Sequence, residues 1–192
     1  VDLVRRSRGP AVTLAFYGGE PLLEPELLRR GVEYASTPRA GSPRVLFHLT
    51  TNGTRLDAPT AAFLAERHVA VRLSFDGLPS VQDRRGRGSF AQLDDLLVSL
   101  RRDHLAHFLD RLEIAVTVTA AGLPNLGDSV EYFLSRGVRA IRVSPRATED
   151  PDWNDACVEE LDLQVSRLHR LSLDLYRRTG RAPVRLFGRA PG

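Results

Sequence analysis

The sequence predicts an α/β fold built on a parallel sheet. Strand-length apolar runs alternate with helical patterns along the chain, which implies strand–helix–strand units joined by right-handed crossovers. Several runs are almost wholly apolar, as expected when both faces of a strand are covered. Polar segments follow directly after the apolar runs, at the strand ends where α/β folds bind ligands.

The elements follow in order. Val12–Tyr17 (VTLAFY) reads as a strand and Pro25–Ala35 as a helix. Arg44–Thr51 (RVLFHLTT) is the next strand. Asp57–Arg67 is a helix, with Asp57 as N-cap and Pro59 in its first turn. Val69–Phe75 (VAVRLSF) is a third strand, and Asp76–Gly88 (DGLPSVQDRRGRG) a longer loop. Ser89 is placed to cap a helix reaching His104, with Leu93, Leu96, Leu97 and Leu100 on one face. Leu112–Thr119 (LEIAVTVT) is a fourth strand. Asn125–Arg136 is a helix ended by Gly137 at C′, and Val138–Val143 a fifth strand. An amphipathic helix spans Asn154–Arg178. The tail from Thr179 (TGRAPVRLFGRAPG) reads as turn-rich.

The chain has 192 residues, enough for one sizeable domain, and is 42% hydrophobic and 27% charged. No apolar run approaches the roughly 20 residues of a membrane helix, and Val1–Pro10 has no signal-peptide core. We therefore expect a cytoplasmic protein with neither membrane nor nucleic acid as partner. The net charge of +3 does not argue otherwise. All the basic residues are scattered Arg, and Lys and Met are both absent, which looks like compositional bias of the genome. A chain that starts at Val1 without Met reads as a fragment of a longer protein. Cys157 is the only cysteine, which excludes a disulfide framework and a multi-cysteine metal site within this chain. At the start of a helix it is either a low-pKa nucleophile or, as we favour, a structural cysteine.

The polar signals are YGGEP after the first strand, TTNGT after the second, SFDG after the third, TVTAAG after the fourth and SP after the fifth. Five strand ends would thus face one place. In this order and spacing, FYGGEPLL, TTNGT and SFDGLPSVQDRRGRGSF resemble the radical S-adenosylmethionine (radical SAM) enzymes, in the branch of the anaerobic sulfatase maturases and SPASM-domain peptide maturases. The resemblance covers about Val12 to Pro145. It implies a partial (β/α)6 TIM-like barrel with parallel strands, of which the first strand is missing here. In that family a Cys-x-x-x-Cys-x-x-Cys loop holds a 4Fe–4S cluster, and S-adenosylmethionine bound to it yields a 5′-deoxyadenosyl radical.

Residue by residue, Gly18, Gly19, Glu20 and Pro21 match the motif that holds the amino group of S-adenosylmethionine. An ammonium suits a carboxylate and backbone carbonyls, and glycine permits close approach. The plainer alternative is a Gly-rich turn with a solvated Glu. Thr51, Asn52 and Gly53 match the family's strand-end motif near the cofactor, or form a simple Asn-Gly turn. Ser74 and Asp76 match its S-x-D-G, with Ser74 the direct contact; Asp76 either joins it or holds the following loop as an Asx-turn. Arg84, Arg85 or Arg87 could anchor the cofactor's carboxylate, and we take Arg85. Thr117 and Thr119 lie where the adenosyl part would sit, or fill barrel interior.

The cluster cysteines and the SPASM extension are absent, so this chain alone is expected to be inactive; residues 1–150 would be barrel core and 151–192 a helix and linker. We expect no metal ligands and assign no catalytic residue in the chain. The complete protein would act on a peptide or protein, a ribosomal peptide precursor or a sulfatase, with a reductant such as ferredoxin or flavodoxin. The alternative is a cluster-less, non-catalytic peptide-binding relative. An unrelated barrel enzyme using Glu20 and Asp76 for acid–base or metal chemistry is a third reading.

Overall fold

The computed structural model describes residues 9–37 and 43–186. Its sheet has six strands in sequence order, all parallel: β1 (Ala11–Phe16), β2 (Arg44–Thr51), β3 (Ala70–Ser74), β4 (Leu112–Val118), β5 (Ile141–Pro145) and β6 (Val184–Leu186). Sequential parallel neighbours demand that each connection cross back on the same side. The helices do this: α1 (Pro25–Ser36), α2 (Ala58–Glu66), α3 (Pro79–Gln82), α4 (Ser89–Asp103), α5 (Leu105–Arg111), α6 (Leu126–Ser135) and α7 (Asp155–Thr179). The result is consistent with a partial TIM-like barrel. Among the described residues β1 pairs only with β2, and its residues alternate between exposed and half-buried.

Burial alternates strictly along the central strands. Leu49, Val71, Leu73, Ile114, Val116, Ile141 and Val143 face the helices and are buried. They meet Leu93 and Leu97 of α4, Val130 and Phe133 of α6, and Leu168 of α7 in one core. Phe75, just past β3, stacks edge-on against Phe133 with ring centroids 5.0 Å apart. The intervening residues, including His48, Arg72, Ser74, Glu113, Thr117 and Arg142, lie on the opposite, concave face and are half-buried.

Asp57 caps α2 as expected, accepting from the Thr60 N–H at 2.9 Å, and Asn154 caps α7. The tail departs from expectation. Val184–Leu186 is not turn but the sixth strand, in register with Ile141–Val143; so short a run becomes a strand only through its partner. The fifth strand starts at Ile141 rather than Val138. Val138 is taken by the end of α6, where its N–H reaches Phe133 O while Gly137 N–H reaches Leu134 O. The loop after β3 holds the short α3. Ser89 does not cap α4: Gly88 occupies that place, and the Ser89 hydroxyl instead donates to the Gln82 carbonyl at 3.1 Å. A further helix, α5, precedes β4, because Leu105, Phe108 and Leu109 recur at helical spacing and Phe108 buries against the core.

Candidate functional site

The strand ends carry two hydrogen-bonded groups. The first joins β1 to β2. Gly18 has φ 138°, a backbone conformation that favours glycine, and so turns the chain sharply out of β1. Glu20 then caps the Pro21–Leu23 turn, its Oε1 accepting from the Leu22 N–H at 3.0 Å. The same oxygen accepts from the Thr51 hydroxyl at 2.7 Å, and Oε2 accepts from the Asn52 N–H at 2.8 Å. Glu20 is therefore a clamp between two strand ends rather than a solvated side chain. Thr51 in turn accepts from the Gly53 N–H at 3.0 Å. The Asn52 side chain closes a local turn, its Oδ1 accepting from the Thr54 N–H at 2.9 Å and the Thr54 hydroxyl at 2.7 Å. What Asn52 offers across the loop is its backbone. The carbonyls of Gly18 and Gly19 accept no backbone hydrogen bond among the described residues, and both glycines are exposed.

The second group joins β3 to β4. Asp76 is buried and its carboxylate accepts from Arg85 in a two-pronged ion pair, with Nη2 to Oδ1 at 2.9 Å. Oδ1 also accepts from the Thr117 N–H at 2.8 Å, and Arg85 Nη2 donates to the Thr117 hydroxyl at 3.1 Å. The Asx-turn reading of Asp76 does not describe this: the carboxylate ties the Arg85 side chain of its own loop to the Thr117 N–H of β4 rather than accepting from a backbone N–H two residues on. Of the three arginines Arg85 is the one bonded to Asp76, while Arg84 donates to the Ser80 carbonyl and lines the same cavity beside Asp76. Gly77 has φ 129°, and a Cβ there would collide with Ser129, whose hydroxyl accepts from the Leu78 N–H at 3.2 Å. Ser74 lies half-buried on the concave face, and its hydroxyl has no hydrogen bond among the described residues.

A cavity of about 390 Å³ opens beside this group, lined by Asp76, Arg85, Thr117, Thr119, Arg146 and Asp150 among others. Two of its supports were not foreseen from sequence. Gln82 on α3 accepts from the Asp76 N–H at 2.8 Å, and Asp150 accepts from the Ala120 N–H at 2.8 Å. Nothing in the sequence marks either residue. No hydrogen bond links the Glu20 group to the Asp76 group among the described residues; they share an edge of the sheet through β2 and β3.

Among the described residues no cluster of His, Cys, Asp and Glu is placed to hold a metal ion. Cys157 sits in the first turn of α7, partly packed against the core, with Sγ 3.8 Å from the Asp152 carbonyl. One cysteine cannot supply the three ligands of the expected cluster. The polar groups at the strand ends suit S-adenosylmethionine: the Gly18 and Gly19 carbonyls as acceptors for its ammonium, the Arg85 guanidinium as donor to its carboxylate, and hydroxyls at Ser74 and Thr117.

Among known proteins, no family model matches the chain. It is 28% identical over 133 residues to the uncharacterized protein MJ0907 of Methanocaldococcus jannaschii, covering 68% of this chain and 45% of that protein. Native anSMEcpe with bound AdoMet and Kp18Cys peptide superposes with a TM-score of 0.77 at 20% identity, over 95% of this chain and 53% of that one. SuiB of Streptococcus suis, bound to its precursor peptide SuiA, gives 0.60 at 16% identity, over 93% and 38%. The chain spans about half the length of the proteins it matches, or less, and over that span it has the fold of anSMEcpe and SuiB.

Proposed function

We propose that this chain is the core of a radical SAM peptide- or protein-modifying enzyme of the SPASM and anaerobic sulfatase-maturase branch, binding S-adenosylmethionine at the carboxyl ends of β1 to β4. The observation that carries the reading is the placement of GGEP, TNG and S-x-D-G on three consecutive parallel strand ends. The likeness in fold to anSMEcpe with bound AdoMet supports it. In this reading Gly18 and Gly19 offer carbonyls to the ammonium, Glu20 and Thr51 hold that loop, and Ser74, Arg85 and Thr117 face the rest of the cofactor. Asp76 orients Arg85.

S-adenosylmethionine and a 4Fe–4S cluster, when bound, would together supply the radical chemistry for hydrogen abstraction. The 4Fe–4S ligands are not in this chain, so its own role is to bind, orient and shield. Peptides bound to anSMEcpe and SuiB support a peptide or protein substrate; the reductant in this proposal is ferredoxin- or flavodoxin-like. Anaerobic reconstitution of the full-length protein should give bound iron and 5′-deoxyadenosine on reduction; failure of both sinks the proposal. The lone cysteine supports a second reading, a cluster-less peptide-binding relative, under which iron is absent but peptide still binds.

A further inference from the structure

The proposed cofactor site uses one side of the cavity beside Asp76, where Asp76, Arg85 and Thr117 bond to one another. The other side comes from the end of β5 and the segment after it. Val118 pairs with Pro145, and the Arg146 N–H then donates to the Val118 carbonyl at 3.0 Å, so the register continues one residue past the strand. Arg146 thus stands level with Thr119 and, two residues past Ser144, on the concave side of the sheet. Asp150 fastens the same segment to the loop after β4 through the Ala120 N–H at 2.8 Å. This wall is held at two points before any ligand arrives. The cavity is lined by three arginines and three aspartates, so the formal charges balance and net charge selects nothing. What differs is which groups are already bonded. Asp76 is paired with Arg85, and Asp150 accepts from the Ala120 and Asp152 N–H groups. Arg146 donates through Nε to the Thr148 hydroxyl at 2.8 Å, and Arg84 through Nε to the Ser80 carbonyl at 3.2 Å. Among the described residues neither guanidinium has an ion pair, and the Nη groups of both stay open. The Asp152 carboxylate has no hydrogen bond or ion pair among them either.

We propose that Arg146, with Arg84 lining the same cavity, takes a carboxylate of the substrate peptide, from an acidic side chain or from the chain end, and so sets where along the peptide the enzyme works. The proposal rests on the peptide-modifying reading and adds a specificity residue to it. With the cofactor at the ends of β1 to β4, the substrate must come to it from the side of β5, across this cavity. A volume of about 390 Å³ is in the range of small-molecule sites and holds a side chain with its adjoining peptide. The Thr148 hydroxyl takes Arg146 Nε and leaves the Nη1–Nη2 edge, a planar fork that matches the two oxygens of a carboxylate. The register sets the distance. Arg146 lies one strand over from Thr117 and two residues further on, which at roughly 4.8 Å between strands and 3.3 Å per residue separates their backbones by roughly 8 Å. The carboxylate therefore belongs two or three residues along an extended peptide from the residue that sits at Thr117.

The test is a calorimetric titration of the chain with three acetylated peptides: Gly-Ala-Glu-Ala-Gly amide, Gly-Ala-Gln-Ala-Gly amide, and the Gln peptide with a free carboxyl end. At least one of the two carboxylate peptides should bind about fivefold tighter than the neutral one, the upper end for a solvent-exposed ion pair. A preference for the Glu peptide names a side chain as the source, and a preference for the free-ended peptide names the chain end. Arg146→Gln should remove most of the preference without changing the neutral peptide, and Arg146→Lys should keep part of it. Arg102→Gln on α4, outside the cavity, should leave it intact. Asp152→Asn should tighten the carboxylate peptide about twofold by removing a like charge, a gain that misfolding cannot produce. Equal binding of the three peptides, binding of none, or a preference that Arg146→Gln leaves unmoved overturns the proposal. So does an S-adenosylmethionine titration that Arg146→Gln weakens as much as it weakens the peptide, since Arg146 then serves the cofactor. Binding of S-adenosylmethionine to the parent chain reads the cofactor proposal alone, so the two fail independently.

Discussion

Asp76→Ala should destabilise the chain through one identifiable loss. Asp76 is 8% exposed, and its carboxylate accepts from Arg85 Nε, Arg85 Nη2 and the Thr117 N–H. Alanine leaves the Thr117 N–H without its acceptor, a loss of about 2 kcal/mol for a hydrogen bond to a charged group. The Arg85 side chain is 38% exposed and can turn to water, so the ion pair adds no more than about 1 kcal/mol. Together these predict a loss of about 2–3 kcal/mol, or roughly 4–12 °C in Tm for a chain of this size. Arg85→Gln alone should cost about 1 kcal/mol or less, and the double variant should show positive coupling. Urea melts of the four proteins in the cycle provide the measurement. An Asp76→Ala protein within about 0.5 kcal/mol of the parent would refute the assignment of Asp76 as the tie between β3 and β4.

Three other outcomes follow from the same geometry. Gly77→Ala should destabilise by more than the about 1 kcal/mol of an ordinary Gly–Ala exchange, because φ 129° and the Ser129 side chain both oppose a Cβ; Ser129→Gly in the same chain should recover part of the loss in thermal melts. Stability should fall with acid below about pH 6.5. Burial and the Arg72 charge lower the pKa of His48, and burial lowers that of His107 against the pull of its hydrogen bond to the Val69 carbonyl at 2.7 Å. The unfolded chain therefore binds more protons than the folded one as pH drops through about 6.5 toward the folded values. Urea midpoints between pH 8 and 5 should show this decline, and His48→Gln should flatten it. Thr51→Val should loosen the β1–β2 clamp, raising amide hydrogen exchange at Leu22, Asn52 and Gly53 while leaving Thr117 unchanged.

The strand order was legible because each strand's helix-facing apolar residues mark it in the sequence, and because Gly18, Gly53 and Gly77 punctuate the strand ends. The partners of those ends were not. Glu20 meets Thr51 across 31 residues and Asp76 meets Thr117 across 41, contacts that only the sheet register creates. Three neighbouring arginines looked alike in sequence; the turn of α3 sends Arg84 back to Ser80 and Arg85 across to Asp76. Ser89 reads as a cap from its residue type, yet its hydroxyl is committed to Gln82. The strand Val184–Leu186 was missed because three residues carry no period of their own.

The central claim is that these strand ends form an S-adenosylmethionine site. Calorimetric titration of the chain with S-adenosylmethionine tests it most directly, against variants Ser74→Val, Arg85→Gln and the remote Arg102→Gln. The account predicts saturable one-to-one binding, weakened about tenfold or more by Ser74→Val and Arg85→Gln and unchanged by Arg102→Gln. Absence of saturable binding, or binding indifferent to both Ser74 and Arg85, would contradict it.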